Sequence, residues 1–287
     1  MSRSVGDTEL ASELADLALV VAREAAALVR ERASRSVEVA ATKTSATDPV
    51  TEADRACEAL VRARLLAARP DDAVLGEEGD DVDGTSGVRW VVDPIDGTVN
   101  FLYGLPVYAV SIAAEVTVPG RDPEIVAGVV LNVASGVAYV ARPGPDGATV
   151  ALRDDVPLRV RPRVPLGERL IGTGFSYDPA LRARQGEAVA RLLPRVRDVR
   201  RIGSCSMDLC FVAEGGFDGY VEEGTHLWDY AAGALIAQAA GARVRQGTGI
   251  SGRMVLVCGP EDGFEDLWEA VHDVGLAVAA GGAPVGE

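Results

Sequence analysis

The sequence predicts a protein with an α+β N-terminal half and an α/β C-terminal half. A long amphipathic pattern opens the chain over residues 8–33, and β-rich runs divided by Pro and Gly turns fill residues 107–153. After about residue 166, short apolar runs alternate with helical patterns. We therefore expect residues 7–165 and 166–278 to form two halves of one compact unit.

Two helices begin the N-terminal half. Apolar residues recur at helical spacing over residues 8–33, which predicts the first helix. The polar stretch at residues 41–49 predicts a loop. Thr51 and Asp54 then match a capping box, so a second helix is predicted over residues 51–68.

Strands follow these helices. A short strand at residues 74–75 is expected to end near Glu77, and an acidic, glycine-rich loop leads from there to a buried strand that ends at Asp93. The next β-rich runs are separated by Pro and Gly turns and predict an antiparallel meander. These runs are residues 107–118, 125–132 and 137–142.

The C-terminal half is predicted to alternate strand and helix. Its predicted strands are residues 170–173, 199–202, 217–221 and 254–258. Its predicted helices are residues 181–193, 206–214, 228–240 and 261–274. In an open α/β sheet the strand ends converge on one crevice, where ligands bind.

Charge and composition restrict the classes of partner. The chain has 287 residues and a formal net charge of −15, which argues against nucleic acid or an anionic membrane as the main partner. No apolar run approaches the roughly 20 residues of a spanning helix, and the first residues lack the apolar core of a signal peptide. We expect a cytoplasmic protein.

The cysteines and histidines argue against several other kinds of site. The four cysteines form no CxxC pair and have no histidine at zinc-ligand spacing, so reduced thiols in the core are expected. His226 and His272 are the only histidines, and His226 could be structural or contact substrate.

The most informative segment runs from Trp90 to Phe101 and reads WVVDPIDGTVNF. A buried strand there ends in two acids, Asp93 and Asp96, and the Gly-Thr pair that follows can begin a helix with free N–H groups. Carboxylates beside such an anion-binding helix start would repel an anionic substrate unless cations lie between them. The segment therefore indicates metal-assisted phosphate chemistry.

Four acids lie where a predicted strand or helix meets a loop: Glu77, Asp93, Asp96 and Asp229. Taken singly, each could be a turn, cap or solvated residue. Together they carry a formal charge of −4, which two Mg²⁺ ions would cancel. A bound phosphate needs further positive charge, from a third Mg²⁺, from Lys43 or from a helix N-terminus.

These motifs resemble those of the inositol monophosphatase family of Mg²⁺-dependent, lithium-sensitive phosphatases. Their detailed sequence is most similar to that of the family's actinobacterial branch. The resemblance is carried by GEE at residues 76–78, DPIDGT at residues 93–98 with Asn100-Phe101, and WD at residues 228–229 with AAG at 231–233. Lys43 and Asp54 also fall at the family's spacing. The resemblance implies a layered αβαβα sandwich and a homodimer.

The resemblance also implies metal ligands. Glu77, Asp93 and the backbone carbonyl of Ile95 would hold a first Mg²⁺. Asp93, Asp96 and Asp229 would hold a second, bridged by Asp93. A third, weaker Mg²⁺ near Glu77 would help to position the attacking water.

The remaining roles follow from the same resemblance. The N–H groups of Gly97 and Thr98 would bind phosphate, and the Thr98 hydroxyl, oriented by Asp54, would assist deprotonation of a metal-bound water. The substrate's hydroxyl-bearing half would contact Asp96, Glu222, Ser176 and the main chain near Gly203, Ser204 and Cys205. Cys205 departs from the family, which often has Ala at that position.

The implied reaction is hydrolysis of a small phosphate monoester, with inositol 1-phosphate first, by direct attack of a metal-activated water. No Ser/His/Asp set or Cys nucleophile competes with this route. Histidinol phosphate, fructose 1,6-bisphosphate or a 3′-phosphonucleotide remain alternative substrates. Glu222 favours a polyol but could equally pair with a substrate amine. A non-catalytic role in binding transcription machinery is the third alternative.

Overall fold

Helical layers and β-sheets alternate through the molecule. The structure is a computed structural model that describes residues 5–33, 39–42 and 49–278. The helices are α1 (Val5–Ala33), α2 (Glu52–Ala68), α3 (Thr98–Tyr103), α4 (Pro179–Leu192), α5 (Cys205–Ala213), α6 (Leu227–Ala239) and α7 (Phe264–Asp273). Short 3₁₀ turns occupy Leu166–Glu168 and Leu193–Arg195.

The strands fall into three groups along the chain. The first group is β1 (Val39–Thr42) and β2 (Pro49–Thr51). The second is β3 (Ala73–Gly76), β4 (Val88–Asp96), β5 (Ala109–Val116), β6 (Glu124–Asn132), β7 (Ala138–Pro143), β8 (Thr149–Arg153) and β9 (Val156–Pro157). The third is β10 (Leu170–Thr173), β11 (Asp198–Arg200), β12 (Gly219–Glu223), β13 (Ala242–Gly249), β14 (Met254–Pro260) and β15 (Ala277–Val278).

The second group forms one sheet in chain order, β3 to β9. The predicted meander is confirmed, because β4 to β9 pair antiparallel, and it contains three strands beyond the three predicted runs, namely β4, β8 and β9. β3 instead runs parallel to β4, with Gly76 opposite Val92. Parallel strands end on the same edge of a sheet. This pairing therefore places Glu77, which follows β3, beside Asp93.

Helices α1 and α2 cover the outer face of this sheet. Leu14 of α1 and Val61 of α2 are fully buried in one apolar cluster with Trp90 and Ile112 of the sheet. The capping box predicted at the start of α2 is confirmed, since the Thr51 side chain accepts from the first backbone N–H groups of the helix. The cap fixes where α2 begins and so where its buried acids lie.

The third group forms a mixed sheet in the order β11-β10-β12-β14-β13-β15. β10 pairs parallel with β11 and β12, as the predicted α/β alternation requires, whereas β12, β14, β13 and β15 pair antiparallel. Strand β13 was not predicted from the sequence. Its sequence, ARVRQGTG, is polar and contains two glycines, so its strand conformation depends on its pairing with β14 from Ala242 to Thr248.

The predicted αβαβα layering is confirmed. Helices α5 and α6 lie between the two sheets, in an apolar cluster that includes Val130 of the first sheet and Leu256 of the second. Helices α4 and α7 cover the outer face of the second sheet. At Gly128 a Cβ would lie 3.0 Å from the Ala232 Cα, so α6 packs directly on the backbone of β6.

One predicted loop is partly wrong. Within residues 41–49, the flanking segments pair as the antiparallel strands β1 and β2. Lys43 lies outside the described residues. No helix of the described ranges combines the length and apolar character needed to cross a bilayer. All four cysteines are free and buried, as expected of core thiols.

Candidate active site

Strand β4 delivers both acids of the DPID segment to one cavity. The pairing of β4 with β5 is regular up to Asp93 and shifts register before Asp96. Asp93 is 2% exposed, and its Oδ1 accepts a hydrogen bond from the Ile95 N–H at 3.1 Å. The break in the ladder lets a strand present two carboxylates, three residues apart, to the same side.

Asp96 connects β4 to the start of α5. Its Oδ2 accepts from the Ser204 hydroxyl at 2.7 Å and from the Ser206 N–H and hydroxyl at 2.7 and 2.5 Å, while Oδ1 accepts from the Cys205 N–H at 3.2 Å. Burial raises the pKa of Asp96, and these hydrogen bonds partly offset the rise. Both oxygens therefore bind protein donors, in addition to the metal and substrate roles predicted for this residue.

Thr98 lies against Asp54, which comes from a different helix. The Thr98 hydroxyl is 3.0 Å from Asp54 Oδ1 and 3.2 Å from the Ile95 carbonyl. The second oxygen of Asp54 accepts from the Thr51 N–H at 2.8 Å and contacts the Thr51 hydroxyl. Asp54 is fully buried, so the capping box of α2 holds the carboxylate that orients Thr98.

Glu77 and Asp229 complete the acidic end of the cavity. Glu77 follows β3 and shares a hydrogen bond with Asp93. Asp229 lies in the first turn of α6, where its Oδ2 accepts from the His226 N–H at 2.6 Å. Burial raises the pKa of Asp93 and of Asp229 well above the usual range, and neighbouring carboxylates, Glu77 and Asp96 among them, raise both further.

The donor set of this end fits a hard divalent cation. Carboxylate and carbonyl oxygens are the ligands that Mg²⁺ prefers, and buried acids that raise one another's pKa gain from added positive charge. The described residues contain no three His, Cys, Asp or Glu side chains already arranged as ligands around one point. The fit of Mg²⁺ to this end therefore rests on the oxygen donors of Glu77, Asp93 and Asp229 and on the repulsion between their carboxylates.

All of these acids except Asp54 line one cavity of about 970 Å³. The same cavity is lined by every residue predicted to contact substrate: Asp96, Gly97, Thr98, Ser176, Gly203, Ser204, Cys205 and Glu222. His226 lines it too and stacks on Trp228 with ring centroids 4.8 Å apart.

Glu222 is held by Tyr220, a residue that was not predicted to belong to the site. The Tyr220 hydroxyl donates to Glu222 Oε2, and Tyr220 is fully buried. Burial raises the pKa of Glu222 to about 7, against the lowering effects of the Tyr220 hydrogen bond and the Arg201 charge. A Cβ at Gly174 would lie 1.9 Å from the Glu222 Cδ, so only glycine leaves room for this carboxyl group. Tyr220 and Glu222 are two residues apart in β12 and so share one face of the strand. This spacing is the sequence signal from which the contact could have been predicted.

Asn100 joins the two loops of the site. Its Nδ2 donates to the Val107 carbonyl at 2.6 Å and to the Ile202 carbonyl at 3.0 Å. Gly97 has φ of 96°, and a Cβ there would lie 3.1 Å from the Gly203 carbonyl oxygen. The GT pair of the motif therefore packs directly against the loop that precedes α5.

Three arginines that were not predicted to belong to the site also line the cavity: Arg184, Arg201 and Arg253. They come from α4, from the loop before α5 and from the turn before β14. No local motif links segments so far apart in the chain, and only the tertiary structure brings them together.

Comparison with known proteins agrees with this geometry. Residues 10–272 match the model of the inositol monophosphatase family. The inositol-1-monophosphatase of Mycobacterium bovis is 46% identical over 266 residues, covering 87% of this chain and 90% of the relative. A Nus factor SuhB of Pseudomonas aeruginosa is 37% identical over 244 residues, covering 82% of this chain and 85% of the relative.

Solved structures show the same architecture. Mycobacterium tuberculosis SuhB superposes with a TM-score of 0.74 at 43% identity, covering 92% of this chain and 98% of that one. SuhB from Bartonella henselae superposes with a TM-score of 0.78 at 31% identity, covering 89% of this chain and 97% of that one. The chain belongs to the inositol monophosphatase family and is a phosphoric monoester hydrolase.

Proposed function

We propose that the protein hydrolyses inositol 1-phosphate to inositol and phosphate. The observation that carries this proposal is the single cavity that joins the Glu77–Asp93–Asp229 carboxylates to Glu222, a carboxylate suited to polyol hydroxyls. The Thr98–Asp54 pair lies at the carboxylate end of the cavity. The inositol-1-monophosphatases among the relatives favour the same substrate.

Mg²⁺ is the proposed cofactor, with two or three ions per site. Glu77, Asp93, the Ile95 carbonyl, Asp96 and Asp229 would hold them. When bound, Mg²⁺ would supply an acidified water and stabilise negative charge on the leaving oxygen. Lithium is proposed to inhibit by competing near Asp229, and indifference to millimolar Li⁺ would contradict this part of the proposal.

The protein's own contribution to the attack comes from Thr98. Its hydroxyl has two acceptors, the buried Asp54 carboxylate and the Ile95 carbonyl, and donation to either leaves the Thr98 oxygen free to accept a hydrogen bond from water. A water held there is oriented and loses its proton more readily. The N–H groups of Gly97 and Thr98 would meanwhile bind phosphate at the start of α3.

The alcohol half of the substrate is proposed to bind Glu222 and the loop at residues 203–205. An ionised Glu222 accepts hydrogen bonds from polyol hydroxyls, and Tyr220 holds it in place. Histidinol phosphate, fructose 1,6-bisphosphate and 3′-phosphonucleotides are the competing substrates.

A phosphate-release panel of these four substrates, at matched concentrations with Mg²⁺, tests the proposal. We expect inositol 1-phosphate to give the highest kcat/KM. A higher value for any other substrate would overturn the assignment of the alcohol, and no phosphate release from any of the four would overturn the proposed reaction.

A regulatory role is the second candidate, because Pseudomonas aeruginosa and Pasteurella multocida relatives are Nus factors. The net charge of −15 does not favour direct contact with RNA, so a protein partner is proposed. Restoration of growth by an inactive Asp93→Asn variant in a deletion strain would support this role. Restoration by active protein alone would contradict it.

We also propose that the protein is a cytoplasmic homodimer. The proposal rests on the family resemblance, and light scattering coupled to size-exclusion chromatography measures the mass directly. A mass near 29.9 kDa, that of one chain, would contradict the dimer.

A further inference from the structure

Two of the cavity arginines are fixed on neighbouring segments. Arg184 of α4 donates through Nη2 to the Ile250 carbonyl at 2.8 Å. Ile250 lies in the turn between β13 and β14, and this turn is closed by a hydrogen bond from the Gly249 N–H to the Arg253 carbonyl at 2.7 Å. Arg184 and Arg253 therefore belong to one locally connected wall, which we name the arginine wall.

Hydrogen bonds centred on the buried Glu223 hold the arginine wall in place. Glu223 at the end of β12 accepts from the Ser251 N–H and hydroxyl, both at 2.7 Å, and from Gln185 Nε2 at 3.2 Å. Gln185 in turn accepts from the Ser176 N–H at 2.9 Å. These contacts tie α4, β12 and the β13–β14 turn together, so both arginines lie on segments that are held in place.

Arg253 also has a defined position beside the site. A Cβ at Gly224 would lie 3.3 Å from the Arg253 Nη1, so the guanidinium packs against the Gly224 backbone. Gly224 precedes α6 by three residues, and the first turn of α6 carries Asp229. The arginine wall thus adjoins the segment that leads to a proposed metal ligand.

The charges around the arginine wall leave its guanidinium groups available. Across the described surface, arginines commonly pair with acids, as Arg64 does with Glu24 at 2.6 Å. By contrast, neither Arg184 nor Arg253 has a carboxylate within 4.0 Å in the described part of the chain.

The acids near the arginine wall are engaged elsewhere. Asp178 caps α4 by accepting from the Leu181 N–H at 2.8 Å, and Glu223 is occupied by Ser251 and Gln185. Glu222 accepts from Tyr220, and the remaining cavity arginine, Arg201, lies within its electrostatic reach. In a chain of net charge −15, arginines that line a ligand cavity without a carboxylate partner favour an anionic ligand group.

We propose that Arg184 and Arg253 form a subsite for a second phosphate of the substrate. A polyol bisphosphate would then place one phosphate at the carboxylate end and the other on the arginine wall. The cavity volume of about 970 Å³ is near the upper end of small-molecule sites, which leaves room for such a substrate. This inference rests on the proposed phosphatase function.

The test compares kcat/KM for inositol 1,4-bisphosphate and inositol 1-phosphate in the wild-type protein and in Arg184→Gln, Arg253→Gln and the double variant. Glutamine removes the charge but retains a donor for the Ile250 carbonyl. Because hydrogen bonds between charged groups are strong, the bisphosphate-to-monophosphate ratio is expected to fall about tenfold or more in the double variant. Arg121→Gln is the matched control, since Arg121 lies in an exposed turn and does not line the cavity.

An unchanged ratio in the double variant, or an equal fall in Arg121→Gln, would overturn the subsite. If the wild-type protein hydrolyses neither compound, the proposed function fails, and calorimetric binding of the bisphosphate then decides the subsite independently. Binding that weakens about tenfold in the double variant would support it, and undiminished or undetectable binding would reject it. Thermal unfolding of every variant excludes loss of fold as the cause.

Discussion

The carboxylate end of the cavity and the end near Glu222, which we name the polyol end because we propose that a polyol binds there, come from the chain in different ways. Asp93, Asp96 and Thr98 lie within six residues, on one strand end and the helix that follows. Glu222, Tyr220 and the loop at residues 203–205 are brought together by β12 and α5 of the other half. A local motif thus contains residues proposed for the reaction, whereas the residues proposed to select the alcohol are brought together only by the tertiary structure.

Asp93→Asn tests the carboxylate end and has the largest expected effect. Asparagine keeps an acceptor for the Ile95 N–H but removes the charge needed to hold a cation, so kcat should fall about 10³-fold or more with the fold intact. The rate of phosphate release at saturating Mg²⁺ and substrate measures this kcat. Asp122→Asn, in an exposed turn, is the control, and near-normal turnover of Asp93→Asn would refute the metal assignment.

Thr98→Ala tests the Thr98 hydroxyl alone, because the carboxylates at the same end of the cavity are left unchanged. Loss of a group that assists proton removal should lower kcat about 10²-fold, because general base assistance contributes on this order. Thr98→Ser keeps the hydroxyl and should retain most of the activity. Equal losses in both variants would show that the methyl packing, rather than the hydroxyl, matters.

Glu222→Gln probes the polyol end through stability. The folded-state pKa of about 7 exceeds the ordinary 4.5, so the folded protein holds a proton that the unfolded chain releases between these pH values. Stability therefore falls as pH rises through this window. The variant should be more stable than wild type at pH 8, by about 1–3 kcal/mol, and little different below pH 4.5.

Denaturant unfolding at pH 4.5 and pH 8 measures this difference. Glu187→Gln on the exposed face of α4 makes the same chemical change away from the cavity and serves as the control. A stability difference that is the same at both pH values would contradict the raised pKa of Glu222.

Tyr220→Phe has the smallest expected effect. Removing one hydrogen bond to Glu222 should raise KM for inositol 1-phosphate about threefold to tenfold and leave kcat little changed. An aryl phosphate without hydroxyls should be unaffected. Tyr230→Phe, which removes a hydroxyl bonded to Gln246 instead, is the control. If Tyr220→Phe changes KM equally for both substrates, Tyr220 has no role in substrate selection.

The sequence predicted those features that local patterns encode. The helices, the meander and the DPIDGT strand end are marked by periodicity, turns and caps within short windows. Strand β13 was missed because pairing, and not its own residues, makes it a strand. Tyr220 and the arginine wall were missed because their roles depend on neighbours distant in the chain. Since α5 and α6 share one core with both sheets, we propose that the two halves fold as a single unit.

The Asp96 carboxylate has a consequence for recombining related chains. Its four hydrogen bonds join β4 to Ser204, Cys205 and Ser206. A chimera with its crossover between residues 96 and 204 would take the acceptor from one parent and the donors from the other. Crossovers before residue 96 or after residue 206 inherit acceptor and donors from the same parent, so these are the positions at which exchange between relatives should preserve an active protein.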